Sequence, residues 1–362
     1  MKKFYVIAVV FSMALLPLAC SKTYSLSPLP PAQATFTPTP MPCGYPGNTC
    51  TPTTTFTTAP SSTPTVTPTI AYSPTISLTC GPYENQFGSY GTGNGQFHFP
   101  CGIAFDSSNN VYVTDGSNSR VQKFDHSGNY LAQWGSYGTG NGQFGAVAGI
   151  AINPAGEIFV VDDGSDRVEI FNTSGTYLGQ FGSQGTGNGE FEGPWGVSLD
   201  SSGNVFVADC INNNVQKFNS SYTYVTQWGT TGSGNSQFSY PRFIAVDSSG
   251  DVYVADEENA RIQKFDNSGN YLTQWGSSGT GNGQFSQTFG VCVGTANRIL
   301  VTDYSNERVE EFDNVGNYIC QFGSSGNGNG QFSYGPQGVE VDSLGNVFVA
   351  DNNGERIEVF EP

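Results

Sequence analysis

Five equal steps of 47 residues separate the aromatic residues of a Gln-aromatic-Gly triplet, at Phe87, Trp134, Phe181, Trp228, Trp275 and Phe322. A second column, a phenylalanine that follows Gln or Glu, falls at Phe97, Phe144, Phe191, Phe238, Phe285 and Phe332 with the same step. A third is the aspartate that closes a Val-rich segment: Asp115, Asp162, Asp209, Asp256 and Asp303, then Asp351 after a step of 48. One residue has therefore been inserted between Phe332 and Pro336, where the first repeat has the shorter spacing of Phe97 to Pro100. A period of this length means one supersecondary unit used repeatedly, because a single unit cannot cover its own apolar faces but neighbouring copies can.

Each repeat holds four short segments rich in β-branched and aromatic residues, in the first repeat Gly102 to Asp106, Val111 to Asp115, Arg120 to Phe124 and Tyr130 to Trp134. Such residues favour strands, and the Asn, Gly and Ser clusters between them accept hairpin turn geometries. The unit is a four-stranded antiparallel meander, which is the size and form of a propeller blade. With 47 glycines and only three methionines, a helical fold is excluded. The region from residue 81 onward begins with one outer-strand segment near residues 83 to 87 and stops after a third-strand segment, Arg356 to Phe360. The two ends complete each other. The predicted architecture is all-β: a six-bladed propeller over residues 81–362, closed by the N-terminal strand, with its strand edges paired away. A closed ring of this kind is expected to be a monomer.

The preceding residues have a different character. Residues 1–20 combine Lys2 and Lys3 with an apolar run from Val6 to Leu16, which reads as a cleaved export signal too short to span a bilayer. Leu15 to Cys20 resembles a bacterial lipobox, with Pro17 departing from the pattern, so Cys20 is a candidate lipid attachment site and membrane anchor. The expected location is the cell envelope, lipid-anchored and facing outward, with simple secretion as the alternative. Residues 21–80 carry 17 Thr, 12 Pro and 7 Ser with no acidic residue, a composition that cannot bury a core and reads as a disordered stalk.

The repeat resembles the NHL family. In the fourth copy the pattern stands as Pro241 to Asp247, Gly250 to Asp256 and Asn259 to Asp266, and the resemblance extends over about 280 residues. It implies a six-bladed propeller and little about activity, since relatives include RNA-binding modules of tripartite-motif proteins, a zinc-dependent amidating lyase, calcium-dependent lactonase-like hydrolases and bacterial surface proteins. The RNA-binding reading sits badly with a formal net charge of −17 and 13 basic residues, which leave no evident phosphate-neutralising face. No nucleic acid partner is expected. A multi-histidine zinc site cannot be assembled from His98 and His126 alone.

Recurrence around the ring separates scaffold from site. The aspartate column and the arginine column Arg120, Arg167, Arg261, Arg308 and Arg356, with Asn214 as its exception, read as structural pairs across a turn. The Gly-Thr-Gly-Asn-Gly-Gln-Phe segments read as turns, since no helix follows them to make a phosphate site. Function is expected where the repeats differ, on the face that carries the turns after the six aspartates. There the sequence places Gly116, Asp163, Cys210, Glu257, Tyr304 and Asn352, joined by His98, Glu192, Trp195, Tyr240, Arg242, Phe289 and Gln337 on the approaches to the inner strands. This polar and aromatic rim suits a protein or glycan partner. Calcium needs only oxygen ligands, and Asp163, Glu192 and Glu257 could gather near the channel mouth, but no cofactor is expected. The reading is a binding or scaffold propeller without intrinsic catalysis, with a calcium-assisted hydrolase or lactonase-like enzyme as the alternative. Among the eight cysteines, Cys43–Cys50 is the favoured bridge with the pairing otherwise open, and Cys292 and Cys320 are expected as buried thiols because the strands that carry them are separated by two others.

Overall fold

The structure is a computed structural model that describes residues 80–362. The export signal, Cys20, the stalk as far as residue 79 and the Cys43–Cys50 bridge lie outside the described residues. The described chain forms six four-stranded sheets, each antiparallel. Blade one runs from its inner strand Pro100–Phe105 through Val111–Asp115 and Arg120–Phe124 to the outer strand Tyr130–Trp134, and the later blades repeat this order. Blade six takes its outer strand from the start of the domain, where Tyr83–Phe87 pairs antiparallel with Arg356–Phe360.

The blades form because the period-two pattern leaves each sheet with two apolar faces, and each face is covered by the next blade. One core cluster joins Ile103, Val111, Val113 and Phe124 of blade one to Phe348, Ala350, Ile357 and Val359 of blade six, so the last interface has the same composition as the others. All six phenylalanines of the second column are fully buried, and each contributes about 1.5–3 kcal/mol by leaving water. The triplet glycines make room for them. Gly229 has φ +108°, and a Cβ there would stand 2.6 Å from the Phe238 ring. Nearer the axis, a Cβ on Gly196 would stand 2.6 Å from the Arg242 carbonyl oxygen, so glycine lets adjacent inner strands approach.

The aspartate and arginine columns hold the upper turns. Asp256 accepts from the Ser239 amide at 2.7 Å, Asn259 Nδ2 at 2.9 Å, Arg261 Nε at 2.7 Å and Gln263 Nε2 at 3.1 Å. Arg261 then donates through Nη1 to the Ser233 carbonyl and through Nη2 to those of Gly234 and Gln237, each at 2.8 Å. The Gly-rich connection is thereby pinned to its own blade. It also closes on itself: in the first copy Gly91 N donates to Phe97 O, Phe97 N to Ser89 O and Gly93 N to Gln96 Oε1. In blade three, where Asn214 replaces arginine, Asp209 keeps the equivalent Asn212 and Gln216 donors and has no guanidinium partner.

Cys320 departs from expectation. It is bonded to Cys80, with Cα atoms 6.1 Å apart, while Cys101, Cys210 and Cys292 are buried free thiols. The distance between strands of blade five excludes only a Cys292–Cys320 bond. Cys80 reaches Cys320 because the segment leading into blade six passes the outer strand of blade five, with Gly81 packed on the Phe322 ring. The bond closes a loop of 240 residues in sequence. Reduction, or Cys320→Ser, is expected to lower the unfolding free energy by about 2 kcal/mol by releasing that loop, read as a shift in the denaturation midpoint; an unchanged midpoint would show that strand pairing alone holds the entry segment.

Candidate functional site

The second position of each inner strand is held by Cys101, Ala148, Trp195, Arg242, Phe289 and Gln337 in blade order. Three of these converge. The Arg242 guanidinium lies over the Trp195 ring at 4.4 Å and over the Phe289 ring at 4.9 Å, so the side chains of blades three and five flank that of blade four. Glu257, the residue after the blade-four aspartate, fixes its rotation: Arg242 Nε donates to Glu257 Oε2 at 2.5 Å. Glu257 Oε1 accepts from Gln287 Nε2 at 3.1 Å. Tyr304 stacks on Phe289 with ring centres 4.6 Å apart and extends the aromatic wall. Cation–π contacts with two perpendicular rings and a single ion pair position the guanidinium, an arrangement that suits arginine better than lysine.

Burial sets the electrostatics. Burial pushes Asp163 up to about 6, opposed by the positive charge of Arg242. Burial also raises Glu257, again opposed by Arg242. The thiols of Cys101 and Cys210 are pushed up to about 12 by burial against the pull of Arg242, so both stay protonated and unreactive at neutral pH. The mouth is therefore a half-buried arginine faced by neutral thiols, two carboxylates and aromatic rings.

The other candidate residues are placed elsewhere. Gly116 packs beneath the Phe99 carbonyl, and its amide donates to that oxygen at 3.0 Å. Asn352 is buried and donates to the Pro100 carbonyl at 3.1 Å, and the Gln337 carbonyl accepts from Thr302 Oγ1 at 2.7 Å. Those are joints between blades. His98 stacks on Phe99 and meets Tyr90, away from the arginine. Tyr240 is exposed with φ +57°, its amide donating to Asn213 Oδ1 at 2.8 Å. Glu192 contributes its amide to Asp209 at 3.0 Å. Among the described residues, Asp163, Glu192 and Glu257 do not form a set of three ligand atoms within 4.8 Å of one another; the group that does is Cys80, Glu311 and Cys320, around the disulfide. The carboxylates suggested for calcium thus do not converge, because Glu257 turns to Arg242.

Sequence reasoning passed over Gln287, Cys101 and Glu340. The first two could have been found by aligning the inner-strand columns around Arg242. Glu340 lines the central channel below the mouth, in a cavity of about 280 Å³ walled by Ile103, Ile150, Val197, Ile244, Val291 and Val339 among others. Burial pushes its carboxyl up to about 7. Its column otherwise holds Ala104, Ala151, Ser198, Ala245 and Cys292, so the departure was visible in the repeats.

The NHL repeat family matches residues 97–124, 191–218 and 238–265, each stretch running from a second-column phenylalanine to the phenylalanine that ends the third strand. No curated protein matches the chain. Among solved structures, a structural genomics protein of unknown function from Bacteroides thetaiotaomicron is similar at 17% identity, with 76% of each chain covered and a TM-score of 0.60. A gluconolactonase from Xanthomonas campestris is similar at 12% identity over 74% of this chain and 88% of that one, TM-score 0.55. A streptogramin B lyase is similar at 14% identity over 76% and 96%, TM-score 0.51. Likeness at these identities shows the fold alone. Six equal blades, the ring closed between its ends and the matched repeats lead to one statement: the chain is an NHL-repeat six-bladed β-propeller.

Proposed function

We propose that this propeller is a non-catalytic binding protein of the cell envelope that takes a saccharide at the upper mouth of its central channel. The observation that carries the reading is the Trp195–Arg242–Phe289 cluster with Glu257 and Tyr304, set where three adjacent blades stop being alike. Aromatic walls beside fixed polar groups are what a ring with apolar faces and hydroxyl edges requires. A binding role is favoured over proton transfer because the Glu257 carboxylate is already engaged by Arg242 and Gln287. Export is supported by Lys2, Lys3 and the apolar run before Cys20, and by a Cys80–Cys320 bond of the kind that persists in oxidising compartments. Lipidation at Cys20 would hold the domain at a membrane, and the Thr/Pro-rich segment would space it outward.

The test is retention of the full-length chain on immobilised cell-envelope polysaccharides, beside the Trp195→Ala/Tyr304→Ala variant. Retention of the native chain, lost in the variant at unchanged melting temperature, is the expected result. Equal retention of both, or retention of neither, would sink the reading.

A further inference from the structure

The five scaffold arginines spend their whole guanidinium on the protein. Arg120, Arg167, Arg261, Arg308 and Arg356 each place Nε on an aspartate and both Nη atoms on loop carbonyls. Arg242 does not. Its Nε is taken by Glu257, the mutually perpendicular Trp195 and Phe289 rings lie against it, and among the described residues no acceptor meets Nη1 or Nη2. The side chain is 19% exposed, and Nη1 and Nη2 are not among the buried nitrogens without partners, so this unpaired edge stays open to a ligand. Trp195 Nε1 has no hydrogen-bond partner among the described residues either, but it shares this with Trp134, Trp228 and Trp275, so it does not mark the site.

Two N–H-bearing nitrogens without acceptors, in the rigid fork of a guanidinium, define the complement: two acceptor oxygens in one plane. A carboxylate fits the fork with two parallel hydrogen bonds. The charge balance limits the ligand to one such group. Asp163 and Glu257 lie within the electrostatic reach of Arg242, and the chain carries a net charge of −17, so a dianionic phosphate or a polyanion would meet net repulsion. Phe289 is buried against Tyr304, so the part-exposed rings of Tyr304 and Trp195 are the aromatic surface that suits the flat face of a neutral ring attached to that carboxylate.

We infer that the ligand at this mouth is an acidic sugar, a uronic acid unit whose carboxylate docks on the Nη edge of Arg242 while its ring lies against the aromatic wall. This rests on the saccharide reading above and names its class.

Titration calorimetry on the full-length chain distinguishes the two. D-glucuronate is expected to bind at least about tenfold tighter than D-glucose, the difference being the charge-assisted pair. Arg242→Lys, which keeps the charge beside Glu257 and so retains the local ion pair, is expected to bring the two sugars to within about threefold, because an ammonium cannot present the fork. A circular dichroism melt identical to that of the native chain confirms the variant is folded. Equal binding of both sugars to the native chain, or a glucuronate preference that survives Arg242→Lys, overturns the inference. Tighter binding of N-acetyl-dialanine than of glucuronate overturns it too, by assigning the fork to a peptide C-terminus. If glucuronate fails while polysaccharide retention still depends on Trp195, the acidic-sugar inference falls and the binding reading stands. If retention is also independent of Trp195, both fall.

Discussion

Replacing Asp256 with alanine is expected to cost about 3–5 kcal/mol of stability, because it strands a buried arginine. Asp256 is fully buried and collects four donors, and Arg261, whose side chain is 7% exposed, would be left with carbonyl partners only. The loss would spread, since Arg261 holds the Gly-rich connection that seats Phe238 between blades. Blade three supplies the internal control. Asp209 has the same backbone duty through the Glu192 amide, but Asn214 stands where arginine would be, so Asp209→Ala leaves unpaired amides and no stranded charge. It is expected to cost about 1–3 kcal/mol. Urea denaturation of both variants measures the difference. Equal costs would mean that the aspartate acts through the turn alone and that the ion pair contributes nothing.

Replacing three buried glutamates with glutamine is expected to raise stability at alkaline pH. Two residues past each arginine or asparagine, blades one, three and four carry Gln122, Gln216 and Gln263, whereas blades two, five and six carry Glu169, Glu310 and Glu358. Glutamine satisfies the site: Gln263 donates Nε2 to the Gln237 carbonyl at 2.7 Å and to Asp256 at 3.1 Å, and accepts the Ser236 amide at 3.0 Å. An ionised glutamate can accept, as Glu169 does from the Gly142 amide, but has no proton to donate. Burial accordingly pushes Glu169, Glu310 and Glu358 up to about 7, against the pull of Arg167, Arg308 and Arg356.

A folded value raised above the unfolded 4.5 means that these groups contribute fully below about 4.5 and lose that contribution as pH rises through about 7. The native chain is therefore expected to melt lower at about pH 8 than at about pH 5.5. The triple variant is expected to gain about 3 kcal/mol at alkaline pH, roughly 1 kcal/mol per restored donor. Its pH slope should shrink without vanishing, because Asp163, Asp209 and Asp351 are also raised, to about 6. Arginine tolerates the change, as Arg120 beside Gln122 shows within the same ring. A variant that loses stability at alkaline pH would contradict the account.

The fold was legible because its determinants recur at a fixed period. The second-column phenylalanines, the triplet glycines and the Asp115–Arg120 type of pair act within a blade or between adjacent blades, so the columns carry both the strands and their packing. The inserted residue near Tyr334 falls in a turn before Pro336, where an extra position changes no register. Site membership was legible only in part. Trp195, Arg242, Phe289, Glu257 and Tyr304 meet, while His98, Tyr240 and Asn352, chosen by the same rule, serve the rim or the joints.

From sequence alone came the number of blades, the closing strand, the scaffold columns and the face where the repeats diverge, since each follows from a spacing along the chain. The tertiary structure decided which of those divergent residues touch, that Cys80 joins Cys320, and that Arg242 is left with an unpaired edge. The reason is radial. In a closed ring, equivalent positions of neighbouring blades lie 47 residues apart in the chain, yet they converge at the axis and spread apart at the rim. Spacing along the sequence records the repeat and is silent about distance from the axis.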